Sequence, residues 1–149
     1  MTLRTVRRVG AIAILGVGAV HLQQYLSGYR SIPTIGTLFL LNALSSGIVG
    51  IGLLAPLERI RDHRGAELTS GLLAGAALAI AAGSLVALFV SENGTLFGFS
   101  ETGYRTVIVL AIIAETLTIV LLAPVAAVSL RRASSSGSAP ATPRAVRSR

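Results

Sequence analysis

The sequence predicts an all-α transmembrane four-helix bundle with both termini cytoplasmic. Three observations carry this: the scarcity of charge, the gathering of apolar residues into four runs, and the one-sided placement of arginine. Of 149 residues, 52% are hydrophobic and 13% charged, with a mean hydropathy of +0.75. A soluble domain carries about a quarter charged residues. Half that density leaves too little polar surface to cover a globule in water.

The apolar runs span residues 9–25, 35–57, 69–91 and 106–128, after a basic segment at 1–8. Each approaches the ~20 residues with which a helix crosses ~30 Å of hydrocarbon. An isolated strand would leave backbone groups unpaired in lipid, and no alternating pattern is present. Pro33 precedes the second run and Pro56 lies near its end, where a missing N–H disturbs least. Pro124 falls in the last two turns of the fourth run and is expected to bend it.

All 13 basic residues are arginine. Eleven lie before the first run, between the second and third, or after the fourth. Only Arg30 and Arg105 occupy the other two loops. The positive-inside rule therefore turns loops 26–34 and 92–105 outward. A cleaved signal peptide is the competing reading of the N-terminus, with Val17-Gly18-Ala19 as its small-residue site. The apolar face continues beyond that triplet, which favours a retained first span. The tail 133–149 is rich in Ser, Pro and Ala, holds three arginines, and is expected to be disordered. Adhesion to anionic lipid is one role for it, at about 1 kcal/mol per basic residue; reinforcing orientation is the plainer one.

Several function classes are excluded or weakened. The absence of Cys removes disulfides and thiol catalysis. The arginines sit at the ends of apolar runs rather than on one face among aromatics, so no nucleic acid partner is expected. No nucleophile stands with a base and an orienting acid at a recognisable spacing, which argues against an enzyme. One His and one Glu within the spans are too few for a closed zinc site. Haem would need a second intramembrane His, and His63 lies in the opposite loop, so neither metal nor cofactor is predicted.

In lipid, helices associate through close backbone approach. Gly71, Gly75, Ala79, Gly83 and Ala87 recur every fourth residue in the third run and predict a groove of small side chains. It is expected to be filled within one subunit; a homo-oligomer or another membrane protein as partner stays open.

His21 and Glu115 are the two ionisable residues inside the runs. Counting 1.5 Å per residue places Glu115 roughly 14 Å, His21 roughly 12 Å and Asn42 roughly 10 Å below the outer boundary. The three are expected to share one layer. One reading is an interhelical network in which Glu115 pairs with His21 and Asn42 satisfies the remainder. The other is a site for a proton, cation or small polar ligand, since intramembrane acids tend to mark function. Above this layer, Phe97 and Phe99 are expected to dip into the interface or cap the bundle, with Glu101 pairing with Arg105 or Arg30. Tyr25, Tyr29 and Tyr104 fit an outer aromatic belt.

His21 with Tyr25 and Tyr29, the run Ile32-Pro33-Thr34-Ile35-Gly36-Thr37-Leu38-Phe39-Leu40-Leu41-Asn42, the segment Gly94-Thr95-Leu96-Phe97-Gly98-Phe99-Ser100-Glu101, and Ala114-Glu115 carry a resemblance. Across residues 9–128 the chain resembles an uncharacterised family of small four-helix membrane proteins from GC-rich Gram-positive bacteria. The resemblance implies a bacterial inner-membrane location and brings no activity with it. The expectation is a non-enzymatic accessory or structural membrane protein, the alternative a small transport or proton/cation-relay element using the His21–Glu115 pair.

Overall fold

The computed structural model describes residues 2–100 and 105–135, with Ile60 as backbone alone. Its elements are α1 (Leu3–Leu26), a 3-10 turn (Tyr29–Ser31), α2 (Ile35–Leu54), the short α3 (Leu57–Ile60), α4 (His63–Asn93) and α5 (Thr106–Ser135). Four helices, α1, α2, α4 and α5, are long and apolar enough to cross a membrane.

The helices overrun the apolar runs where local chemistry extends them. Thr2 caps α1 by accepting the Thr5 N–H, and Asp62 caps α4 by accepting that of Gly65. Such caps satisfy backbone donors that the first turn leaves unpaired. Hydropathy locates the segment that suits hydrocarbon, whereas caps locate helix ends. Conversely α2 stops at Leu54, before the apolar run ends. Ala55 is extended (ψ 145°) because it precedes Pro56. α5 runs on through Pro124 to Ser135. Residues 133–135, expected in the disordered tail, are therefore helical, and Ala133 is buried; the rest of that tail lies outside the described residues.

α1 packs against α2 and α5, and α4 packs against α5, while the α2–α4 seam is looser than these three. Glycines set these approaches. A Cβ on Gly18 would stand 3.0 Å from Ser46 Cβ and 3.1 Å from the Ala43 carbonyl oxygen, and one on Gly10 would stand 2.4 Å from Leu122. The core comprises Ile14, Val17, Leu53, Leu122 and Val125, with alanines of α1, α4 and α5. It fills the half of the bundle nearer the arginine-rich end. There Arg4 and Arg7 each reach Glu58 at 3.4 Å, and Arg132 reaches Glu67 at 3.4 Å. These ion pairs tie α1 to α3 and α4 to α5 at one end.

The expected groove on α4 is not filled along its length. Gly71 does pack on Leu130, where a Cβ would stand 2.7 Å from Cγ. Gly75 and Gly83 have nothing within 4 Å of a notional Cβ, and Ala79 and Gly83 are exposed. The buried face instead runs through Ala66, Ser70, Ala74, Ala77 and Ala81. A line of every fourth residue drifts about 40° per step on a helix of 3.6 residues per turn. Five members thus wind about 160° around the axis, too far for one neighbour to cover.

Candidate functional site

The half of the bundle opposite the arginine-rich end holds a partly open cavity of about 360 Å³. Four helices contribute polar side chains to it: His21 from α1, Asn42 from α2, Ser84 from α4 and Glu115 from α5. Apolar residues such as Ile35, Ile80 and Ile108 make much of the remaining wall.

His21 is held from both ring nitrogens. Its Nδ1 stands 2.9 Å from the Val17 carbonyl oxygen, which can only accept, so Nδ1 carries a proton. Nε2 lies 3.0 Å from Ser84 Oγ and 3.9 Å from Glu115 Oε1. In the neutral ring Nε2 is an acceptor, and the Ser84 hydroxyl donates to it.

Glu115 is 1% exposed. Neither of its carboxyl oxygens has a hydrogen-bond partner among the described residues. Ser84 is close enough to act on the carboxyl as well, but its hydroxyl reaches hydrogen-bonding geometry toward His21 and not toward either carboxyl oxygen. Asn42 accepts a bond from Ser46 at 3.1 Å and does not complete the shell of Glu115. The three residues placed in one layer by depth line one cavity; Glu115 stands within ion-pair distance of His21, at 3.9 Å, while Asn42 turns to Ser46 and leaves the expected network open. An acid near the middle of a membrane helix costs about 2.5–3.5 kcal/mol, and here no internal hydrogen bond offsets that cost.

Aromatic rings line the cavity toward its far end. Tyr29 stacks on Phe39 at 4.6 Å, Phe99 meets Tyr29 edge-on at 5.7 Å, and Phe39 lies 5.1 Å from the His21 ring. Arg105 donates to the Tyr29 hydroxyl, and its guanidinium carbon is 5.9 Å from the ring centre. Gly36 fixes this arrangement. A Cβ there would stand 2.7 Å from the Tyr29 carbonyl oxygen and 2.9 Å from Arg30 Cα, so only glycine lets α2 begin against the 3-10 turn. Tyr29 is thus a buried wall residue, not part of a surface belt. Tyr25 is half-buried on α1, and Tyr104 lies outside the described residues.

Phe97 and Phe99 part company. Leu96 and Phe99 exchange backbone hydrogen bonds at 2.8 and 2.9 Å across a two-residue turn. Phe97 (φ 52°) and Gly98 (φ 79°) occupy its left-handed positions, as a type I′ turn requires. Phe99 caps the cavity, whereas Phe97 is 69% exposed and covers nothing in it. Glu101 and its expected pairing lie outside the described residues.

Tyr29, Phe39 and Ser84 were not singled out from sequence as wall residues. Ser84 was within reach of the depth count, about 10 Å from the end of the third run. Phe39 precedes Asn42 by three residues, hence shares its helix face. Among the described residues, no group of three His, Asp or Glu is placed to hold a metal ion. A second hollow, of about 300 Å³ at the arginine-rich end, is lined by Arg4, Arg7 and Arg132 together with their partners Glu58 and Glu67. Comparison with known protein families, curated proteins and solved structures finds no match.

Proposed function

We propose that this is a non-enzymatic multi-pass protein of the bacterial cell membrane, with both termini cytoplasmic. In this reading it takes a small ligand or cation from the outer leaflet onto the Glu115–His21 pair, acting as a small transport or relay element. The observation that carries it is Glu115: a buried carboxyl, both oxygens without hydrogen bonds, on the wall of a cavity. A purely structural cluster would direct its donors at that carboxyl, because an unsatisfied buried acceptor costs about 1–3 kcal/mol. The donors present are turned elsewhere, Ser84 to His21 and Ser46 to Asn42. Arginine asymmetry supports the outward orientation of the cavity, and the packed core between cavity and arginine-rich end supports an outward-facing form.

The chain has no Cys, so single cysteines test this reading without background. In intact cells, Asn42→Cys is expected to react with a charged, membrane-impermeant methanethiosulfonate added outside. Ser135→Cys is expected to react only after permeabilisation. If Asn42→Cys stays unmodified while Asn93→Cys on the outer loop reacts, the cavity is sealed from outside and the reading fails.

A further inference from the structure

We infer that the ligand class of this cavity is an organic ammonium ion with a small apolar or aromatic body. The inference rests on the reading of the cavity as a binding site and specifies what it binds. Three observations converge. The first is the demand at Glu115. With Nδ1 of His21 donating to Val17 and Nε2 taken by Ser84, no described group stands in hydrogen-bonding geometry to either carboxyl oxygen. Beyond the imidazole nitrogen at 3.9 Å and the nearby Ser84 hydroxyl, the carboxyl has no donor or positive charge beside it, and a carboxylate, phosphate or other anion would set a second acid group against it.

The second is the ring set. Phe39 lies against His21, the neighbour of Glu115, and Tyr29 and Phe99 continue the aromatic wall. Ring faces attract cations through their quadrupoles, more so where water is excluded. The third is size and lining. About 360 Å³ of largely hydrocarbon wall exceeds what a hydrated metal ion needs and matches the lower range of small-molecule pockets. A bare alkali ion would leave most of that wall unused, while an uncharged hydrocarbon would bring no donor to Glu115.

The other charged groups at this end are compatible with such a ligand. Arg105 is engaged with Tyr29, Arg30 is exposed on the 3-10 turn, and Glu92 on α4 has a buried oxygen without a hydrogen bond among the described residues. The pose that follows places the ammonium beside Glu115, on the cavity side of the His21–Phe39 contact, and the apolar body toward Tyr29 and Phe99. No covalent step is involved.

The test is equilibrium binding to the purified full-length chain in lipid nanodiscs, with empty nanodiscs subtracting partition into lipid. The probe is radiolabelled N,N-dimethylbenzylammonium; unlabelled isobutylbenzene, its uncharged isostere, and benzoate are competitors. Saturable binding is expected. Isobutylbenzene and benzoate are expected to compete at least about tenfold more weakly than the unlabelled ammonium, as loss of a close charge pair implies. Glu115→Gln should weaken binding by a similar factor, and Phe39→Leu by roughly threefold to tenfold. The isostere comparison is made on the unaltered protein, so it holds even if a variant fails to fold. Equal competition by isobutylbenzene overturns the ammonium class and leaves the cavity as a binding site. Absence of saturable binding, with Asn42→Cys still modified from outside, likewise overturns the ammonium class alone. Absence of binding together with an unreactive Asn42→Cys overturns both.

Discussion

His21 Nε2 stands 3.9 Å from Glu115 Oε1, while Ser84 takes the same nitrogen at 3.0 Å. The imidazole and the carboxyl are neighbours without being hydrogen-bonded partners. Packing, not polar pairing, holds Glu115 in place as long as the ring is neutral. Whether the carboxyl supports the bundle is then a question that substitution answers.

Stability of Glu115 variants reads that difference directly. Replacing a buried acceptor that has no partner removes its desolvation cost, about 1–3 kcal/mol. Glu115→Leu is therefore expected to raise, or leave unchanged, the thermal unfolding midpoint of the detergent-solubilised protein while abolishing ligand uptake. A large drop for Glu115→Leu, with Glu115→Gln unaffected, would mean that the carboxyl supports the bundle.

Glycine substitutions should follow helix approach rather than sequence spacing. Gly36→Ala drives a Cβ into the backbone of Tyr29 and Arg30, with an expected cost of about 1–3 kcal/mol. Gly83→Ala meets nothing and is expected to be neutral or to gain up to about 1 kcal/mol of helix propensity. Chemical or thermal unfolding of the two variants side by side decides the matter.

The turn at Leu96–Phe99 carries a local strain that one substitution relieves. Phe97 holds a left-handed conformation (φ 52°) with its side chain exposed. Asparagine is the favoured residue before glycine in a type I′ turn. Phe97→Asn is expected to stabilise the protein by about 1 kcal/mol. Phe99→Asn removes the edge contact with Tyr29 and should destabilise it; a reversed ranking in thermal melts would contradict the turn described.

At the arginine-rich end, stability should depend on acid. The backbone amide of Glu58, followed by the guanidinium groups of Arg7, Arg4 and Arg8, holds its carboxyl below the ordinary value of 4.5. A carboxyl lowered in the folded state contributes its stability in full above the unfolded value, and loses it as the pH falls through the folded one. Glu58→Gln should therefore melt slightly below wild type at neutral pH, and the gap should close as the pH drops below 4.5. The gap is small, since the Glu58 side chain is 39% exposed and its ion pairs are screened by solvent. A gap that is independent of pH would remove the carboxylate from this account.

Four helices were legible in the sequence because span length is a property of hydropathy alone, and the bilayer sets it. The convergence of His21, Asn42 and Glu115 was legible for a related reason: residues at equal depth on adjacent helices have few other places to go. What depth does not contain is direction around each helix. That is why Asn42 faces Ser46 instead of Glu115, and why the small residues of α4 wind away from the neighbour meant to cover them. Tyr29 escaped for another reason. Its burial depends on a 3-10 turn folded under the start of α2 at Gly36, a tertiary approach that no local pattern announces.

The loose α2–α4 seam bears on how a ligand would arrive. Leu41 on α2 and Gly83 on α4 both line the cavity, and both are exposed on the flank of the bundle. A solute already dissolved among acyl chains would then have a sideways approach in addition to the outer aqueous route that the Asn42→Cys labelling reads. Loading rate would then track enrichment in the bilayer, so of two amines with equal contacts the greasier should fill the cavity faster.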